Sequence, residues 1–162
     1  MELIDLGRAI ETQLYGSHKE LGHHPLFESH PDLISRLVSK LTYCVREEPV
    51  RYIAVDMTQA LDESFNIAVY SDDHLFHLAY DPAVDHITTS ILARHSVEVV
   101  EVLSAPNFML ANAAGRYEGV VRVSASYPGF KVRLPGDNAA TDENRRQLDT
   151  FLPSLLRDLT RK

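Results

Sequence analysis

The sequence predicts an α+β domain in which two N-terminal helices precede an antiparallel meander of about seven strands, a partly open barrel, closed by a C-terminal capping helix. Three observations carry this. Leu3, Leu6, Ile10 and Leu14 recur at helical spacing, and so do Leu33, Ile34, Leu37, Val38 and Leu41. Over residues 50–134, short β-branched and aromatic runs alternate with Asp, Ser, Pro and Gly. After Pro135 and Gly136 the helical period returns through Leu148, Phe151, Leu152, Leu155, Leu156 and Leu159.

Each element has its own signal. The first helix covers residues 2–15, with Gly16 where helices commonly end. Residues 17–29 read as a connection with Leu26 and Phe27 turned inward. The second helix begins near Ser29, takes negative charge into its first turn from Asp32, and is over by about Arg46, because Pro49 cannot continue it. Strands are expected at 50–58, 65–70, 74–80, 86–92, 97–103, 118–126 and 130–134. Ser71-Asp72-Asp73 and Tyr127-Pro128-Gly129 have tight-turn compositions, so their flanking strands should form hairpins. In the last strand Phe130, Val132 and Leu134 alternate with Lys131 and Arg133, as in a sheet with one wet face. Thr141 is the expected N-cap of the final helix, followed by Asp142 and Glu143 in its first turn. Pro153 is expected to kink or divide that helix, since it removes a hydrogen bond to the Asp149 carbonyl.

Composition narrows the function classes. A chain of 162 residues, 44% hydrophobic, supports one hydrophobic core, so residues 1–47 are read as a helical extension packed on the same core as residues 48–162. A net charge of −7 argues against nucleic acid and anionic membrane surfaces, which attract proteins through Lys and Arg. No run approaches the roughly 20 apolar residues of a membrane-spanning helix. Glu2 and Asp5 stand where a secretory leader is basic. Integral membrane association is therefore not expected, and a cytoplasmic location is. The lone Cys44 falls on a helix and reads as a small buried hydrophobe rather than a catalytic thiol.

The meander from residue 50 onward, most tellingly residues 87–134 with the run Ser96-Val97-Glu98-Val99-Val100-Glu101-Val102 followed by a loop, a hairpin and the helix, resembles a bacterial pleckstrin-homology-like domain. The whole chain, including Glu47-Glu48-Pro49-Val50, is also similar to an uncharacterised actinobacterial family with the same helix-then-meander plan. The resemblance implies a binding fold and brings no activity with it. Relatives that bind phosphoinositides use a basic first hairpin, whereas Gln59, Ala60, Leu61, Asp62 and Glu63 make the corresponding segment acidic here. Phosphoinositide binding is accordingly not expected.

Candidate chemistry is sparse. His18, His23, His24 and His30, with Glu20 and Glu28 between them, supply enough ligand types for zinc but lack a recognised ligand spacing. Asp72-Asp73-His74 with His77 looks like a ligand string, yet in a strand His74 and His77 face opposite sides. No Gly-x-Ser-x-Gly elbow and no phosphate-cradling glycine loop is present. The segment 104–117 reads as a long loop carrying Phe108, Met109 and Leu110, residues that either plug the open end of the sheet or mark a contact surface for a partner. Part of residues 86–117 could alternatively be helical, as in secretion-chaperone folds, although the β-branched density of residues 97–102 opposes this.

These readings favour a non-enzymatic protein-binding or assembly module without a cofactor, engaging a protein partner or a second copy, with Phe108, Met109 and Leu110 as the contact. The alternative is a small metal-binding protein or enzyme that uses the histidine-rich segment 18–30.

Overall fold

A computed structural model describes residues 2–58, 60–111, 117–118 and 120–161. The first helix, α1 (Leu3–Ser17), is followed by a short α2 (Pro25–Ser29) and by α3 (Leu33–Val45). Then come β1 (Tyr52–Asp56), β2 (Phe65–Tyr70), β3 (His74–Asp81) and β4 (His86–Ala93). A 3-10 turn at Arg94–Ser96 leads into β5 (Val99–Ser104), β6 (Asn107–Ala111), β7 (Tyr117–Glu118), β8 (Arg122–Tyr127) and β9 (Phe130–Leu134), and α4 (Asp142–Asp158) ends the fold.

All pairing among these strands is antiparallel. The expected meander is divided into a four-stranded sheet, β1-β2-β3-β4, and a three-stranded sheet, β5-β8-β9, which do not close into a barrel. The segment read as a long loop instead contains a two-stranded ribbon, β6-β7. Its Phe-Met-Leu run has the aromatic and apolar content that suits a pleated strand. Residues 86–111 form strands and a 3-10 turn, so the helical alternative for this region does not hold among the described residues.

Strand periodicity explains how one sheet serves two cores. In β1, Ile53 and Val55 point toward α1 and α3, where they pack with Ile10, Leu14, Leu37 and Leu41. Tyr52 and Ala54 point the other way and join Val123, Ala125, Tyr127 and Leu134 of the second sheet and Leu148, Phe151 and Leu155 of α4. The same split recurs in β2, with Ile67 and Val69 on the helix side and Ala68 and Tyr70 on the other. The four-stranded sheet is thus the middle layer, with β1 and β2 buried on both faces and β4 partly uncovered. Phe151 stacks on Tyr52 at a centroid distance of 5.4 Å and lies 4.9 Å from Tyr70, which seats α4 against this layer.

Side-chain caps start α2 and α4 but not α1 or α3, and the helix expected to begin near Ser29 begins at Leu33, Ser29 being the end of α2. Thr141 caps α4, its Oγ1 accepting from Asn144 N at 3.1 Å. Gly16 does not end α1, which runs through it to Ser17. Pro153 neither kinks α4 into two elements nor ends it: the helix continues to Asp158, because Leu155 and Asp158 beyond the proline are buried and hold the last turn in place. In the β8-β9 hairpin Gly129 adopts φ +90°, a left-handed conformation open to glycine at little cost.

Gly136 is where the chain passes directly over β1. A Cβ at this position would overlap the carbonyl of Val55, a backbone group that cannot step aside, whereas Gly16 has open space around it. Gly136→Ala is therefore expected to destabilise the fold by at least about 2 kcal/mol, and Gly16→Ala to leave it unchanged or stabilise it by about 0.5 kcal/mol. Urea unfolding of both variants checks the pair.

Candidate functional site

The four histidines of segment 18–30 are placed in separate environments. His18 is 2% exposed, and its Nε2 donates to both oxygens of Asp137 at 2.9 and 3.0 Å. His24 caps α2, its Nδ1 accepting from Leu26 N at 3.2 Å. His30 reaches Glu63 at 3.4 Å, and His23 is exposed. Among the described residues no three His, Cys, Asp or Glu side chains are grouped to hold a metal ion. His74 and His77 do face opposite sides of β3: His74 meets Glu48 at 3.0 Å, while His77 stacks on Phe130 of the second sheet at 4.2 Å. Burial lowers the His77 pKa, since the neutral ring is the form that tolerates desolvation.

Two constellations have catalytic residue types without catalytic geometry. In the His18–Asp137 pair, Nε2 is taken by the carboxylate and Nδ1 accepts from Glu20 N at 3.2 Å, which leaves no ring nitrogen for a substrate. In the Ser71–His74–Glu48 cluster, the serine hydroxyl and the imidazole Nδ1 both donate to the same glutamate oxygen. Ser71 is fully buried, and its hydroxyl is not directed at the imidazole. Both clusters hold chain segments together.

The segment carrying the candidate contact residues Phe108, Met109 and Leu110 is more informative. Met109, on β6, is 81% exposed, so it does not plug the core. The backbones of Phe108 and Leu110 belong to the same strand, and their side chains lie outside the described part of the molecule. Among the described residues the neighbouring β5 is an edge strand that pairs with β8 alone. Glu98 N donates to Ser126 O at 2.8 Å while Val99 is itself the register partner of Ser126, so two residues oppose one at the start of β5. A register shift between Val102 and Ser104 bulges Leu103 out. Val99, Val102 and Leu103 are 55%, 56% and 51% exposed. Val120, also exposed, is tied to the end of β5 by the bond from Ser104 Oγ to its carbonyl at 2.7 Å. The sequence indicated a strand at 97–103 but not its exposure, although the Val-Val-Glu-Val-Leu run is apolar on both faces and so hinted that one face would stay uncovered.

Asp137 has a structural task with a measurable pH signature. Its carboxylate accepts from His18 and from the backbone N–H groups of Met57 and Ala139, each at 2.8 Å. Burial pushes this carboxyl up, but the His18 and backbone bonds outweigh burial and hold it below its ordinary value. A carboxylate with a lowered folded pKa stabilises fully above the unfolded value and loses that contribution as pH falls toward the folded one. Asp137→Ala is expected to cost about 3 kcal/mol at neutral pH and to flatten the acid limb of the stability curve. Denaturant midpoints measured from neutral to acidic pH read both effects.

No helix among the described residues is long and apolar enough to cross a membrane. No protein family and no curated protein matches this sequence. Among solved structures the chain is similar to the hSac2 domain from human phosphoinositide phosphatase Sac2, at 16% identity and a TM-score of 0.38, over 80% of this chain and 82% of that one.

Proposed function

We propose that this protein is a binding or assembly module that receives an extended segment of a protein partner, or of a second copy, along the open edge of β5. The observation that carries the reading is a strand with no pairing partner on one side among the described residues, on which Val99, Val102 and Leu103 are each more than half exposed. Edge strands of this kind are templates for strand addition, in which main-chain hydrogen bonds supply affinity and alternate side chains supply selectivity. Exposed Glu98 and Glu101 flank the apolar positions and favour a segment that carries Lys or Arg between its own apolar residues. Met109, on β6, is a further exposed apolar side chain.

The test compares the wild-type chain with a Val102→Lys, Leu103→Lys variant, in sedimentation velocity and as bait for affinity capture from cell extract. The expected outcome is an oligomer or a captured protein that the variant loses by more than about tenfold, with an unchanged unfolding midpoint. A wild-type monomer that captures nothing, or a complex that the variant retains, overturns the proposal.

A further inference from the structure

A cavity of about 530 Å³ opens between α4, the start of β1 and the β2-β3 turn, on a part of the molecule that the β5 edge does not use. Three arginines line it, Arg51, Arg94 and Arg146, in a protein whose formal charge is −7. Two acidic residues, Asp72 and Glu143, also reach it. The three guanidinium groups are not equivalent.

Arg94 is part of the wall. It is 4% exposed, and its donors are all engaged. Nε and Nη2 meet Asp158 Oδ2 at 2.9 and 2.8 Å, Nη2 meets Ser154 Oγ at 2.7 Å, and Nη1 meets the carbonyls of Ser71 and Asp72 at 2.9 and 3.3 Å. Its guanidinium also lies over the Phe151 ring, 5.0 Å from the centroid. This group is fixed, and its charge is answered by Asp158.

Arg51 and Arg146 are different. Arg51 holds Asp72 through Nε and Nη2 at 2.7 and 3.1 Å, with both side chains about half exposed. Arg146 holds Glu143 at 2.9 Å in a pair that is 71% and 59% exposed. Exposed pairs contribute little, because water screens them and ordering two long side chains opposes them. Arg51 Nη1 and the Nε and Nη1 of Arg146 make no hydrogen bond among the described residues, and neither does the Thr150 hydroxyl on the same wall. The cavity therefore presents two guanidinium forks whose present partners are exchangeable, around a floor that is rigid and buried.

From this arrangement we infer that the cavity is a binding site for a small organic phosphate monoester, its phosphate bridging Arg51 and Arg146. Three terminal oxygens match two planar forks and the Thr150 hydroxyl together, where a carboxylate has only two. The volume falls in the range that encloses an organic ligand and exceeds what a bare phosphate ion fills. Asp72 and Glu143 serve as the resting partners of the two arginines and are released to solvent when the ester binds.

Phenyl phosphate is the probe. Amide chemical shifts of the full chain are followed at low ionic strength against phenyl phosphate and, separately, against phenylacetate. Saturable shifts at Arg51, Arg146 and Thr150 are expected, stronger for the phosphate than for the carboxylate, and weakened at least fivefold by Arg51→Gln or Arg146→Gln. Both arginines are on the rim, so thermal unfolding of the variants should match wild type. Arg133→Gln, which removes an exposed arginine that pairs with Asp56 outside the cavity, should bind normally. Shifts that never saturate, equal binding of phenylacetate, or equal weakening by Arg133→Gln overturn the assignment. A parallel sedimentation assay with vesicles containing phosphatidic acid separates a soluble ester from a lipid headgroup: the protein is expected to stay in solution, and vesicle binding abolished by Arg146→Gln would overturn the soluble source.

Discussion

Three parts of the chain that are far apart in sequence meet at the Asp137 carboxylate. His18 comes from the end of α1, Met57 from just beyond β1, and Ala139 from the approach to α4. Around it, Lys19 N donates to Ala139 O at 2.8 Å, Thr141 N to Ser17 O at 3.1 Å, and Thr141 Oγ1 to Gly16 O at 2.6 Å. One anion with its ring of donors therefore sets where the helical layer, the middle sheet and the closing helix begin relative to one another. Buried N–H groups need acceptors, and removing this one would orphan several at once. The close passage of Gly136 over Val55 belongs to the same junction, since only a residue without a side chain lets the carboxylate of Asp137 reach Met57.

With the layers fixed in this way, the second sheet is narrower than the first and covers only part of it. Its inner face packs through Val123, Ala125 and Val132, while β5 touches that core through Val100 and leaves Val99, Val102 and Leu103 exposed. At the other side α4 is anchored by the Asn144 bonds to Tyr52 and to the Ile53 carbonyl and by the Arg94–Asp158 pair, and the arginine cavity lies beside these anchors. The two exposed features thus have one origin. Each sits where the buried packing between layers ends.

The elements were legible where local chemistry punctuates them. Residues 65–70 and 130–134 are strands over the same bounds that their alternation and turn residues indicate, and Thr141 caps α4 as its position before Asp142 and Glu143 suggests. The short α2 was missed although Pro25 at its first position, preceded by a histidine able to cap, is a known start signal. What the sequence did not reveal is convergence. His18 and Asp137 are 119 positions apart, and Arg51, Arg94 and Arg146 share a cavity only because three separate elements fold around it. The division into two sheets was equally hidden, because hairpin signals specify which strands are neighbours and not where the sheet breaks. Pro153 misled for a related reason: the local cost of a proline is outweighed by tertiary burial on both sides of it.

The glutamates of β5 have a second consequence for the protein in a crowded solution. A free edge with exposed valines invites strand-to-strand stacking of identical chains into growing ribbons, the route by which many soluble proteins are lost. Glu98 and Glu101 place like charges along that edge, so identical chains arriving in series meet accumulating repulsion. The same two side chains therefore act as gatekeepers against uncontrolled polymerisation.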